Sequence, residues 1–268
     1  MVFALEDVYF SYLGKFPALC GITMQVQKGS RVAVIGANGT GKSTLLSLLD
    51  GLSFPDRGKL YAFGKPLSER MAGDDDFWRP FRRRVGFVFQ NPDIQLFCPS
   101  VREDIVFGPL QMEIPPAEIN RRLESLSGVF GIAGLLDRQP HQLSIGEKKK
   151  VAIASVLAIE PEVLLLDEPT AGLDPQTSRE IVEILFKEHE KGTTIVTATH
   201  DLHIIEEIAD TVHVIGIQKK IIRSGPSAQV LADQVFLQEN NLVHIHSHRH
   251  KDMVHTHSHT HSDHHRPD

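Results

Sequence analysis

Residues 32–49 constrain this chain more than any other stretch. Val32-Ala33-Val34-Ile35 has the composition of a buried strand, and Leu45-Leu46-Ser47-Leu48-Leu49 opens a helix. Between them lies Gly36-Ala37-Asn38-Gly39-Thr40-Gly41-Lys42-Ser43-Thr44, which fits the GxxxxGK[ST] spacing of a phosphate-cradling loop. Glycine lets the backbone wrap an anion without a Cβ in the way, so several N–H groups converge on it. The helix that follows adds unpaired N–H groups and the positive end of its dipole. Lys42 has the reach for the β- and γ-phosphates, and the Ser43 hydroxyl suits Mg²⁺. Glycine-rich turns also join strands to helices where no nucleotide binds. Here the strand before and the helix after supply the context that the phosphate loop requires, and a nucleoside triphosphate site follows.

Composition narrows the remaining choices. The chain has 268 residues, 41% of them hydrophobic, enough for one large domain or two small ones with a packed core. A formal net charge of −6 argues against a nucleic-acid partner. No stretch approaches the roughly 18–20 apolar residues needed to span a bilayer, and residues 1–7 lack the pattern of a secretion signal. Cys20 and Cys98 form no metal or disulfide spacing, so each is expected to be a small buried hydrophobe.

Further candidates lie along the chain in order. Strands are expected at 2–5 and 22–26, with Tyr9, Phe10 and Tyr12 between them; Tyr12 is placed to stack on a base or simply to pack. Residues 68–84 contain Asp74-Asp75-Asp76 and Arg82-Arg83-Arg84, read as solvated surface without a function. The strand at 85–89 ends in Gln90, within reach of Mg²⁺ or an attacking water. Residues 93–155 are mainly helical. There Ser144-Ile145-Gly146-Glu147 opens a helix, which reads equally as an anion-facing turn or an ordinary N-cap. Val163-Leu164-Leu165-Leu166 is a strand buried on both faces, ending in Asp167-Glu168. Asp167 suits Mg²⁺, held through water, and Glu168 suits the water that attacks a γ-phosphate. Ala171-Gly172-Leu173-Asp174 is a turn, 176–191 a helix, and 194–199 a strand reaching His200, which either touches the γ-phosphate or is a satisfied core histidine. A hairpin at 211–215 and 220–225, then a helix over 226–239, ends the globular part.

Taken together, residues 2–225 resemble the ATP-binding cassette (ABC) ATPases. That resemblance implies an α/β fold: a RecA-like P-loop core with a mostly parallel sheet, an N-terminal antiparallel β subdomain and a helical signature subdomain at about 93–155. The domain would span 2–240 and a tail 241–268. In that reading Tyr12 stacks on adenine, and Gly36, Ala37, Asn38, Gly39, Thr40, Gly41, Lys42, Ser43 and Thr44 form the Walker A loop. Gln90 belongs to the Q-loop, Asp167 is the Walker B aspartate, and Glu168 is the catalytic carboxylate. His200 is the switch histidine and Asp174 lies in the D-loop. Mg²⁺ would be held through Ser43, Gln90 and Asp167. Ser144, Gly146 and Glu147 act in trans, on ATP bound to a second copy.

The family signature usually reads Leu-Ser-Gly-Gly-Gln, against Leu143-Ser144-Ile145-Gly146-Glu147 here. Ile145 is expected to restrict the turn and Glu147 to place a negative charge near phosphate, slowing hydrolysis. The segments 89–97 and 103–109 resemble the ATPases of energy-coupling-factor importers. This implies a homodimer on the cytoplasmic face of the cell membrane, working with an integral coupling protein and a substrate-binding membrane component. Residues around 91–110 would meet the coupling protein.

Beyond residue 243 stand His244, His246, His248, His250, His255, His257, His259, His261, His264 and His265. Their neighbours are too polar to bury a core, so the tail is expected to be disordered without a ligand. In an extended chain, residues two apart share one side at about 6.8 Å spacing, a row of imidazoles suited to Ni²⁺ or Co²⁺. An inert polar tail or a purification tag is the plain alternative. With the tail, the chain resembles the energising subunit of a nickel or cobalt importer, nickel slightly favoured. Rival readings are the ATPase of a vitamin importer and a nickel-insertion P-loop GTPase. The GTPase is disfavoured because the Asn-Lys-x-Asp motif of guanine recognition is absent. A DNA or ribosomal ABC protein is also disfavoured, since a single cassette is present with no long insertion between its Walker motifs.

Overall fold

The computed structural model describes residues 1–69, 74–250 and 253–259, with 244–250 and 253–259 described by backbone alone. Two main sheets organise the cassette. The first is antiparallel, in the order β2 (Phe16–Val26), β1 (Phe3–Tyr12), β4 (Arg57–Ala62) and β5 (Lys65–Pro66). The short strands expected at 2–5 and 22–26 extend into one long hairpin, in which Tyr12 faces Phe16.

The second sheet runs β10 (Ile221–Pro226), β9 (Thr211–Ile215), β3 (Arg31–Ile35), β8 (Thr194–Thr199), β7 (Val163–Asp167) and β6 (Val85–Val88). Its pairings are parallel except at the edge, where β10 runs antiparallel to β9. β6, β7 and β8 are buried along their whole length, so the apolar runs at 85–88 and 163–166 reflect burial on both faces. Val34, Leu165 and Val196 of this sheet share one core with Leu45 and Leu49 of α1 (Lys42–Leu49) and with Phe3, Ile22 and Leu60 of the antiparallel sheet. Phosphate-loop strand and helix are thereby fixed between the two layers.

A second core joins Val88, Leu164 and Leu166 to α3 (Val101–Gln111), α4 (Pro116–Val129) and α5 (Ile145–Leu157). This is the expected helical segment. α6 (Pro175–Glu190) covers the sheet beyond β7, and the short α7 (Ile205–Ile208) belongs to a third core with β3 and β9.

Three expectations are revised. Residues 75–84 are α2 (Asp75–Arg84), capped by Asp74, with Phe77 and Phe81 buried. Arg82 pairs with Asp50 at 3.1 Å and Arg84 with Glu162 at 2.7 Å, so these two arginines are not simply solvated. The apolar face at Phe77, Trp78 and Phe81 was hidden by the charges around it. Cys20 and Cys98 are only half-buried. The terminal helix breaks at Asp233 into α8 (Ser227–Ala232) and α9 (Gln234–Glu239), because the Asp233 carboxylate caps Phe236 N–H and pairs with Arg223.

Leu242 and Val243 are buried in the third core, so globular packing runs to residue 243. Beyond it, β11 (His244–His250) and β12 (Met253–His259) pair only with each other, in a sheet of their own. The rest of the expected disordered segment, 251–252 and 260–268, lies outside the described residues. So do the side chains of every tail histidine proposed to bind metal.

Candidate active site

The phosphate loop leaves the carboxyl end of β3 and turns into α1 at Gly41, the N-cap residue, with φ of +107°. A side chain there would be strained by φ and would run into the Ala18 carbonyl of β2. A Cβ on Gly36 would lie 2.5 Å from the Ile215 carbonyl, so the loop's first glycine is required for close backbone approach. Lys42 folds back over the loop, donating to the carbonyls of Gly36 at 2.9 Å and Ala37 at 3.3 Å. Its ammonium also lies 3.9 Å from Glu168, and burial holds its pKa below the usual lysine value.

Tyr12, Asn38, Gly39, Gly41, Lys42, Ser43, Thr44, Gln90 and Glu168 line one cleft of about 480 Å³. Tyr12 and Glu168, 156 positions apart, therefore meet where the end of the β1–β2 hairpin approaches the carboxyl ends of β3, β6 and β7, strands of one parallel sheet. Tyr12 is half-exposed, shares a hydrogen bond of 3.0 Å with Thr44, and meets the Phe10 ring edge-on. Phe16 and Lys219 also line the cleft and were not singled out from the sequence. The clue to Phe16 was an aromatic on each side of the short turn 13–15. Lys219, donating to the Gly39 carbonyl at 3.4 Å from the β9–β10 turn, left no local signal.

Asp167 ends β7, 5% exposed, and burial raises its pKa despite a hydrogen bond from Ser43. Its Oδ1 is buried with no hydrogen-bond partner among the described residues. A buried orphan carboxylate oxygen beside a hydroxyl is the donor set a hard cation takes, so Ser43 and Asp167 fit Mg²⁺.

Glu168 adopts φ of +46°, a left-handed conformation costing roughly 1 kcal/mol or more outside glycine. Its N–H donates to the Ala198 carbonyl at 2.8 Å, which pins the turn. The carboxylate accepts from the Thr199 hydroxyl at 3.0 Å and meets His200 Nδ1 at 2.7 Å. That hydrogen bond to Glu168 raises the His200 pKa, favouring the imidazolium. Buried Asp167, Glu168 and Lys42 thus form one charge cluster with half-buried His200 at the carboxyl end of the sheet.

Ser144, Gly146 and Glu147 do not line this cleft. Ser144 is the N-cap of α5, and Glu147 completes a capping box with it. Ile145 is the first helical residue, with φ outside the positive region and an exposed side chain, so it does not restrict the turn as the sequence suggested. The turn at 171–174 lies alongside: Asp174 caps α6 by accepting from Thr177 N–H at 3.0 Å, and a Cβ on Gly146 would sit 3.3 Å from Thr177. Lys149, overlooked in the sequence, is 1% exposed, and burial lowers its pKa to about 8. Its signal was a lysine on the apolar side of a helical pattern.

The family model described as ABC transporter matches residues 19–171. The chain is 49% identical over 245 residues to the nickel import ATP-binding protein NikO of Rhodobacter capsulatus, covering 90% of this chain and 95% of that protein. It is 44% identical over 239 residues to the energy-coupling factor transporter ATP-binding protein EcfA of Methanothermobacter thermautotrophicus, covering 89% and 75%. Among solved structures, CbiO1 of Clostridium perfringens, part of the ABC transporter complex CbiONQ, is similar at a TM-score of 0.76 and 38% identity. That match covers 90% of this chain and 94% of the other. A dimeric ATP-binding cassette in a post-hydrolysis state with ADP and Pi is similar at a TM-score of 0.75 and 25% identity, covering 84% and 98%.

Proposed function

This chain belongs to the ABC transporter family, and on that footing we propose that it hydrolyses ATP to energise a membrane importer of a transition-metal ion, nickel or cobalt. The observation that carries the ATPase reading is the meeting of Lys42, Asp167, Glu168 and His200 at one end of the parallel sheet. The 49% identity to a nickel import ATP-binding protein over 90% of this chain supports the cargo. The likeness to a subunit of the CbiONQ complex agrees with it.

In this reading Tyr12 and Phe16 receive the base, and the loop N–H groups with Lys42 hold the phosphates. Ser43, Gln90 and Asp167 would hold Mg²⁺, which draws charge from the phosphate oxygens. A water oxygen attacks the γ-phosphorus while the bond to the β–γ bridging oxygen breaks, its electron pair leaving on ADP, and the water's proton passes by way of Glu168 to the released phosphate. Glu168 orients and polarises that water. His200 holds the Glu168 carboxylate and turns its imidazolium toward the developing negative charge. Ser144 and Gly146 of a second copy close over the γ-phosphate from the far side, and release of that contact after hydrolysis reopens the pair.

No helix among the described residues is long and apolar enough to cross a membrane; in this reading the work passes to separate membrane proteins. The exposed apolar side chains of Ile94, Phe97, Phe107 and Leu110, with Phe97 and Phe107 in edge contact at 5.0 Å, are the surface for the coupling protein's helices. In this reading the chain works at the cytoplasmic face of the membrane. The histidines of the tail collect or buffer the metal ion before import, a role separate from catalysis.

Uptake of radiolabelled nickel and cobalt by cells carrying the whole transporter tests the proposal. Glu168→Gln should abolish uptake of the cargo ion. Uptake that continues in that variant, or a transporter that moves neither ion, contradicts it.

A further inference from the structure

Helix α5 carries more than the signature at its N-terminus. Five residues after Ser144, about 7.5 Å along the axis, the Lys149 side chain points inward and is almost wholly buried. A lysine is rarely that buried without partners. Its ammonium donates to the carbonyls of Gln90 at 2.7 Å, Phe89 at 3.2 Å and Glu168 at 3.4 Å. One cation therefore touches the strand end that presents Gln90, the strand end that presents Glu168, and the helix that presents Ser144.

Two neighbours reinforce the same joint. Gln95 accepts from Phe89 N–H at 3.1 Å and donates to the Ala152 carbonyl of α5 at 2.8 Å. Lys148 pairs with Asp93 at 2.7 Å, though Asp93 is exposed and this pair contributes little. Lys149 alone reaches both strand ends. Its charge also faces the Asp167 and Glu168 carboxylates, as does that of Lys42.

We infer that Lys149 is a positioning residue for ATP hydrolysis: its ammonium locks the backbone of Gln90 and Glu168 to the signature helix, so both halves of the catalytic apparatus move as one body. It touches neither nucleotide nor water. Its effect therefore falls on the chemical step and leaves ground-state binding alone. The inference rests on the ATPase reading and adds a residue to it.

The test uses the full-length protein with Lys149→Met, which is one heavy atom shorter and has no N–H donor, and Lys149→Gln, which keeps two N–H donors. Steady-state hydrolysis gives kcat and KM, thermal unfolding confirms folded protein, and each change is repeated in a Gln90→Ala background. Lys149→Met should lower kcat at least tenfold with KM for ATP within twofold, and Lys149→Gln should recover part of the loss. In Gln90→Ala protein, which keeps the carbonyl but lacks the side chain that Lys149 positions, the same change should cost less. Full kcat in a folded Lys149→Met protein overturns the inference. So do losses that multiply with those of Gln90→Ala, or a rise in KM alone. If Lys149→Met does not fold, Lys149→Gln with wild-type kcat overturns it equally. An unmodified protein without hydrolysis removes the activity itself, a result distinct from these.

Discussion

Glu147 accepts two hydrogen bonds from Ser144, one from its amide at 2.7 Å and one from its hydroxyl at 2.8 Å. The same carboxylate sits at the positive end of α5, and the bonds from Ser144 hold its pKa below the usual glutamate value. In the proposed closed pair the Ser144 hydroxyl turns to the γ-phosphate of the other copy. Glu147 therefore occupies, with its own negative charge, the donors an incoming phosphate needs.

Glu147→Gln keeps the capping box, since glutamine serves at that position, and removes the charge. Hydrolysis should rise roughly fivefold, equivalent to about 1 kcal/mol of barrier, with little change in melting temperature. Ile145→Gly should leave the rate unchanged and lower stability by roughly 0.5–1 kcal/mol, because Ile145 already has helical geometry. Steady-state assays and thermal unfolding of the two single variants separate these effects. A gain in rate from Ile145→Gly alone would contradict this assignment.

Lys42→Ala should weaken ATP binding by roughly 30-fold or more, the loss of about 2 kcal/mol expected when a charged partner is removed from phosphate. Fluorescent-nucleotide titration measures it. Unchanged affinity would remove Lys42 from the site.

The phosphate loop, Asp167 and Glu168 were legible because they follow strands buried on two faces, whose burial writes the apolar runs at 32–35 and 163–166; His200 follows β8, where three buried threonines interrupt the run. Their convergence was not legible, since it depends on β3, β6 and β7 lying in one sheet. Lys219 was missed for the same reason, since Gly39 is distant in sequence; Phe16, opposite Tyr12 across a short turn, and Lys149, on the apolar side of a helical pattern, carried local signals that were passed over. The helix at 75–84 was missed because Asp75, Asp76, Arg82, Arg83 and Arg84 outweigh Phe77 and Phe81 in composition, while only the two phenylalanines decide its buried face. Ile145 was misjudged because the glycine it replaces was assumed to have a special φ.

Asp50 supplies a pH dependence of stability. It is buried at the carboxyl end of α1, and burial raises its pKa to about 7, with Arg82 only partly offsetting this. A folded pKa above the unfolded value means that the stabilising protonated state is fully present below about pH 4 and is lost as pH rises toward 7. Stability relative to Asp50→Asn should therefore fall by up to about 1.4 kcal/mol per pH unit between those limits and level off above them. Urea unfolding of both proteins across this range measures it, and parallel curves would contradict the assignment.

Ending the chain at Val243 keeps Leu242 and Val243 in the third core and removes the tail. The shortened protein should hydrolyse ATP at the full rate, and calorimetry should find nickel or cobalt binding in the whole chain and not in the shortened one. Equal metal binding by the two proteins would place the ion elsewhere.

The central claim is that two copies pair head to tail, each ATP lying between the Lys42 loop of one and Ser144 of the other. Mixing Lys42→Ala with Ser144→Ala protein tests it most directly, because only a mixed pair builds one complete site from two defective chains. Hydrolysis should return to about a quarter of the wild-type rate when the copies pair at random. A mixture no more active than the sum of its two components would contradict the claim.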